Sequence, residues 1–122
     1  MQAWRGVTLA AALLGASGVA LAAVGAHVTG ESGAAAWQAA NLMHLVHALA
    51  LLGIAAFLHR GANRGWVLAG AMMVLGVFLF SGSIYRAGLL GLDGAGPLAP
   101  LGGSLLILSW LVLGVAAWRE RS

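Results

Sequence analysis

The sequence predicts an all-α integral membrane fold, an antiparallel up-down bundle of four transmembrane helices in one domain, residues 1–122. Three observations carry this. Of the 122 residues 61% are hydrophobic and only 7% charged, with a mean hydropathy of +0.97, whereas a soluble domain carries about a quarter of its residues as Asp, Glu, Lys or Arg. Four apolar runs, at about 3–26, 37–58, 66–88 and 98–118, each reach the roughly 20 residues that cross a hydrocarbon core of about 30 Å. The connectors, "HVTGESGAA", "HRGANRG" and "LLGLDGAGP", are short and hold the Gly, Asn, Asp and Pro that end helices. Short connections make sequential helices antiparallel neighbours.

The first run begins "MQAWRGVTLAAALLGASGVALAA", which has the basic start and Ala-x-Ala ending of a signal peptide. Its apolar stretch exceeds the 7–15 residues of an ordinary leader core. Ala11, Gly15, Gly18, Ala22 and Ala26 also recur at three- and four-residue spacing, a surface for close helix packing. The run is therefore expected to be kept as a helix.

The second run contains "NLMHLVHALALLG", with Asn41, His44 and His47 at three-residue spacing. At about 100° per residue they share roughly a third of the helix circumference. Strongly polar side chains are costly in lipid, so this stripe is expected to face the bundle interior. Counting from Trp37 at about 1.5 Å per residue, His44 lies roughly 10 Å and His47 roughly 15 Å deep.

The third run reaches the same end through "FLFSGSIYRAG", bringing Ser81, Ser83, Tyr85 and Arg86. Gly82 is expected to allow close helix packing, with the serines bonded back to their own helix. The fourth begins "PLAPLGG", where Pro97, Pro100, Gly102 and Gly103 thin and bend its first turn. His27 at the end of the first run joins His44, His47, Asn41, Ser81, Ser83 and Tyr85 in an expected polar cluster in the outer half. For Tyr85 and Arg86, interfacial anchoring is the simpler reading.

Arg5, Arg60, Arg64, Arg119 and Arg121 fall on one side of a four-span arrangement, and Arg86 alone near the other. Positive charge marks the cytoplasmic side, which places both termini there. Trp4 beside Arg5, Trp66 after Arg64 and Trp118 beside Arg119 suggest an aromatic belt at the inner interface. All six basic residues are arginine and Ala and Gly abound, a composition suggesting a GC-rich bacterial genome.

Other chemistry is restricted by what the chain lacks. Without cysteine there are no disulfides, thiolate metal sites or thiol nucleophiles. The charge of +3 comes from scattered arginines, with no basic stripe for nucleic acid.

Gly25-Ala26-His27, His47-Ala48-Leu49-Ala50, Phe80-Ser81-Gly82-Ser83-Ile84-Tyr85 and Ala99-Pro100-Leu101-Gly102-Gly103 occur in this order across nearly the whole chain. In this the chain resembles the YgdD-like family of small inner-membrane proteins, a domain of unknown function with four predicted spans. The family's motifs are Gly-Ala-His, His-x-Leu-Ala, Phe-Ser-Gly-Ser-Leu-Tyr and Thr-Pro-x-Gly-Gly. This chain departs from them at Ala99, where the family has Thr, and at Met43-His44, where it has Tyr-Gln. By that comparison His47 is a stronger candidate for a shared role than His44. The resemblance implies an architecture and motif residues but no activity.

Three functional classes follow. A structural or partner-binding membrane protein needs only imidazoles hydrogen-bonded across helices, and its partners are the lipid bilayer, a membrane protein or a second copy. A small transporter, proton conduit or oligomeric channel can use His27, His44 and His47, since histidine titrates near neutral pH, yet no charge lies deep in any run. Metal or haem ligation by the same histidines lacks a carboxylate to orient it, because Glu31, Asp93 and Glu120 lie outside the runs. No catalytic constellation is present, and the expectation is no enzyme activity, no cofactor and no metal. Retention of the first run is tested by mass spectrometry of the purified protein: the mass should include residues 3–26, and a chain starting near Ala23 contradicts it.

Overall fold

A computed structural model describes residues 2–120. Four helices account for nearly all of it: α1 (Ala3–Val28), α2 (Glu31–His59), α3 (Arg64–Leu90) and α4 (Leu98–Trp118). Each is long and apolar enough to cross a membrane.

Helix α2 begins at Glu31, well before the residue near 37 suggested by hydropathy alone. Gly30 supplies the extended backbone of an N-cap, Glu31 faces the positive end of the helix dipole, and the alanines that follow favour helix. Only Thr29 and Gly30 are left between α1 and α2. At the start of α3 the Asn63 side chain accepts from the Gly65 N–H at 2.8 Å, a side-chain cap. Its other end stops at Gly91, whose φ of 67° is left-handed, with the Leu92 N–H donating to the Ala87 carbonyl at 2.9 Å.

Partner residues on adjacent helices run in opposite numerical order. Trp37 meets Leu21, Asn41 meets Gly18 and His44 meets Ser17, while Gly76 packs on Leu106 and Gly65 on Ala116. Trp4 packs edge-on to His59 with ring centroids 4.6 Å apart, and Asn63 donates to Glu120 at 2.6 Å and to the Ala116 carbonyl at 2.9 Å. The start of α1, the end of α2, the start of α3 and the end of α4 therefore share one end of the molecule. The exposed Arg5, Arg60, Arg64 and Arg119 lie there. Arg121 lies outside the described residues.

The four helices do not close into a ring. Among the described residues no Cα of α4 comes within 8 Å of α1 or α2, whereas α1 touches α3 as well as α2. Helix α4 buries one edge, Gly102, Leu106 and Ser109, against α3, and its far face, including Ile107 and Leu111, is apolar. Such a face has no hydrophobic preference between a protein partner and lipid, so van der Waals packing decides what covers it.

Several packing expectations need correction. The buried edge of α1 is Ala11, Leu14, Gly18 and Gly25; Ala22 and Ala26 are exposed, because they lie a position past the contact stripe. Gly82 is not a close-packing site: a Cβ there would meet nothing within 4 Å, since it faces away from the helix that Ser81 touches. Close approach occurs instead at Gly102, where a Cβ would collide with the backbone of Leu79 and Phe80. Gly103 has only ordinary contact with the Phe80 ring, and Pro100 is exposed at the start of α4. Trp66 is no interfacial anchor. It is 8% exposed and stacks on Phe57 at 4.6 Å, because the third position after the cap of α3 points at α2. Trp118, 90% exposed, and the half-buried Trp4 remain at the arginine end.

These contacts predict opposite outcomes at two glycines. Gly102→Ala should cost about 1–3 kcal/mol, as overpacking against fixed backbone does, while Gly82→Ala should stay within about 0.5 kcal/mol. Thermal unfolding in detergent reads both, and a larger loss at Gly82 contradicts the packing.

Candidate functional site

Asn41, Tyr85, His44 and Ser17 are joined in one chain of hydrogen bonds that starts and ends on carbonyls of α1. The Asn41 side-chain nitrogen lies 2.8 Å from the Gly18 carbonyl oxygen. A carbonyl only accepts, so the amide orientation is determined. The second Asn41 N–H points to Tyr85 Oη at 3.2 Å, which makes that oxygen an acceptor there. The Tyr85 hydroxyl then donates to His44 Nδ1, 3.0 Å away. His44 carries its proton on Nε2 and donates to Ser17 Oγ at 3.1 Å, and Ser17 donates to the Leu14 carbonyl at 3.3 Å. The chain thus runs from α2 through α3 and back to α1, and His44, 4% exposed, is neutral and fully partnered within it.

His47 belongs to a second, separate contact. Its Nδ1 lies 2.6 Å from the Met43 carbonyl oxygen, so Nδ1 carries the proton, and Nε2 accepts from the Trp110 indole N–H at 3.0 Å. This side-chain bond ties α4 to α2, although no backbone contact does. The two histidines thus hold opposite neutral tautomers.

Trp37 keys the same region. Its indole N–H donates to the Leu21 carbonyl at 2.8 Å, and its ring lies 4.8 Å from that of Tyr85. A Cβ on either Gly25 or Gly88 would enter the Trp37 ring, so both glycines make room for it. Beyond Trp37 opens a cavity of about 510 Å³ between the α1–α2 connection and the Gly91–Ala95 segment, with Asp93 as its charged wall residue.

Of the expected cluster, Asn41, His44 and Tyr85 are brought together. Ser81 donates instead to the Ala40 carbonyl at 2.7 Å, a separate cross-helix bond that departs from the expected back-bonding. Ser83 bonds back to Leu79 and Phe80 of its own helix. His27 is exposed and takes no part in these bonds, because it lies past the buried edge marked by Gly25. Tyr85 is 7% exposed and so is not an interfacial anchor. The two histidines separate: His44 sits in the chain shared by three helices and His47 in its own contact with Trp110. Ser17, Trp37 and Trp110 carry no signal in a spacing argument confined to histidines. Ser17 was detectable only as a hydroxyl beside Gly18 on the face opposite Asn41. Among the described residues no group of three or more His, Cys, Asp and Glu side chains is placed to hold a metal ion.

Tyr85→Phe removes the acceptor of Asn41 and the donor of His44 together, and should lower stability by about 1–3 kcal/mol. His47→Leu leaves the Trp110 N–H without a partner, whereas His47→Gln keeps a donor and an acceptor. Thermal unfolding should therefore rank Gln above Leu; a silent Leu with a harmful Gln contradicts these bonds.

The family described as a protein of unknown function, DUF423, matches residues 21–103. The chain is similar to the UPF0382 inner membrane protein YgdD of Escherichia coli K12, 33% identical over 119 residues, or 94% of this chain and 91% of the relative. It is 37% identical over 82 residues to the UPF0382 membrane protein YwdK of Bacillus subtilis, covering 66% of this chain and 67% of that one. The UPF0382 membrane protein SAB0533 of Staphylococcus aureus is 33% identical over 84 residues, 68% of this chain and 67% of its own. No solved structure matches. With the motifs of α1, α2, α3 and the start of α4 all inside the matched region, the chain belongs to the DUF423 family of bacterial membrane proteins, whose function is unknown.

Proposed function

We propose that this protein crosses the bacterial inner membrane four times as an antiparallel up-down helical unit with both termini in the cytoplasm. It acts there without catalysis, through lateral contact with a membrane-protein partner or a second copy. The observation that carries this reading is the closure of the polar groups around its buried histidines. His44 and His47 each have both ring nitrogens engaged by protein partners, which leaves no free valence for a metal, haem or substrate. The chain begins at a backbone carbonyl of α1 and ends at another. A conduit needs continuation toward the arginine end, yet Ser109, buried in α4, is bonded back to Leu106.

Membrane insertion is supported by four helices of sufficient length and apolarity and by the exposure of Leu, Val, Ile and Phe side chains along all of them. The orientation is supported by exposed arginines at one end, on the rule that positive charge stays inside. Glu31 and Asp93, with Arg86, belong to the opposite end.

The chain has no cysteine, so single cysteines report sidedness directly. Ser32→Cys should react with an impermeant maleimide from outside the cell, and Gln2→Cys and Ala62→Cys only after the membrane is opened. Reaction of Ser32→Cys and Ala62→Cys from the same side, or the reverse pattern, contradicts the reading.

A further inference from the structure

The face between α1 and α3 carries a feature that the polar chain does not use. Where these helices diverge toward the arginine end they leave a groove of about 360 Å³. Its floor is Leu51 of α2 and the buried Gly70. Gly6, Val7 and Ala10 form one wall, and Val67, Ala71, Val74 and Phe78 stand on the other. No polar side chain lines it.

We propose that this groove seats one acyl chain of an anionic phospholipid of the cytoplasmic leaflet, with Arg64 holding the phosphate. The proposal rests on the membrane-spanning reading above. Charge is the first argument. Residues 64, 67, 71, 74 and 78 recur at three- and four-residue spacing, so Arg64 stands on the groove-lining stripe of α3, at its open end. Arg64 is exposed, and Arg5, Arg60 and Arg119 surround the same end. Glu120 is the acid there among the described residues, and its carboxylate is engaged by the Asn63 N–H at 2.6 Å. Arg5 lies over the Trp4 ring, 5.3 Å from its centroid, which leaves Arg64 as the cation aligned with the groove. An anionic headgroup gains from such a residue at the membrane surface.

Length is the second argument and separates a lipid from a second copy. The lining on α3, from Val67 to Phe78, runs roughly 16 Å at about 1.5 Å per residue, close to half of a hydrocarbon core of about 30 Å, while α1 flanks it at Gly6, Val7 and Ala10 near the arginine end. It therefore extends through one leaflet and stops at Phe78, which is 65% exposed. A helix from a second copy would continue through the other leaflet, where the groove gives it no seat.

Native mass spectrometry of the full chain in detergent, titrated with phosphatidylglycerol and with phosphatidylcholine of the same acyl chains, tests this. The wild type should bind phosphatidylglycerol about fivefold more tightly. Arg64→Gln should abolish that preference and keep the weaker binding. Ala71→Phe and Val67→Phe, which fill the groove from its walls, should weaken both lipids, while Leu108→Phe on the exposed face of α4 should weaken neither. Retained preference in Arg64→Gln, or wild-type binding by a folded Ala71→Phe or Val67→Phe, overturns the site. A dimer lost in Ala71→Phe with lipid binding unchanged overturns it in favour of a second copy. Absent lipid preference together with the cysteine pattern expected above overturns the lipid site alone. A reversed cysteine pattern overturns the membrane reading whatever the lipid result.

Discussion

The amide of Asn41 constrains the centre of this fold more than any other group. Because one of its N–H bonds ends on the Gly18 carbonyl, its other must point at Tyr85, and the tyrosine hydroxyl is then committed to His44. Three helices are held in register by one connected set of donors and acceptors. In a medium without water each such group must find its partner inside the chain. Single interhelical bonds of this type average only about 0.6 kcal/mol, so their value lies less in stability than in excluding other rotations of α1, α2 and α3. A rotation of α2 that removed Asn41 from Gly18 would leave several buried groups unpaired at once.

Glycine placement serves the same geometry. Trp37 fits between α1 and α3 only because Gly25 and Gly88 lack side chains, and its ring in turn packs on Tyr85. The α3–α4 pair is brought together separately, by Gly102 against backbone and by Gly76 beneath Leu106. Helix α4 is consequently attached to one neighbour by packing and to another by the single Trp110–His47 bond. For a family without an assigned activity, this division matters: α1, α2 and α3 form the polar core, and α4 presents an apolar face on the far side of α3 that is free for lateral contact.

Much of this was legible before any coordinates, for physical reasons that differ between features. Four helices follow from run length and apolarity, and α4 lies where hydropathy puts it. The inward direction of Asn41, His44 and His47 follows from the cost of polar groups in lipid, and all three are buried or half-buried. What the spacing did not contain was partner identity. The early start of α2 depends on a glycine cap and a glutamate that hydropathy scores as loop. The exclusion of His27 depends on which edge of α1 is buried, and that edge is set by the shapes of Trp37 and Leu45 against Gly25 and Gly18. The burial of Trp66 was hidden because tryptophan beside arginine has the same sequence signature whether it faces lipid or Phe57. Likewise, a serine beside a glycine does not reveal whether its hydroxyl crosses to another helix, as Ser81 does, or turns back, as Ser83 does.

The claim at the centre of this account is that both buried histidines are neutral, fully partnered and of opposite tautomer. Nitrogen-15 chemical shifts of histidine-labelled protein in bilayers at neutral pH measure this directly. The account predicts a protonated Nε2 and an unprotonated Nδ1 for His44 and the reverse for His47, with His44 perturbed by Tyr85→Phe and His47 by Trp110→Phe. Equal tautomers in the two rings, or a ring protonated on both nitrogens, would contradict it.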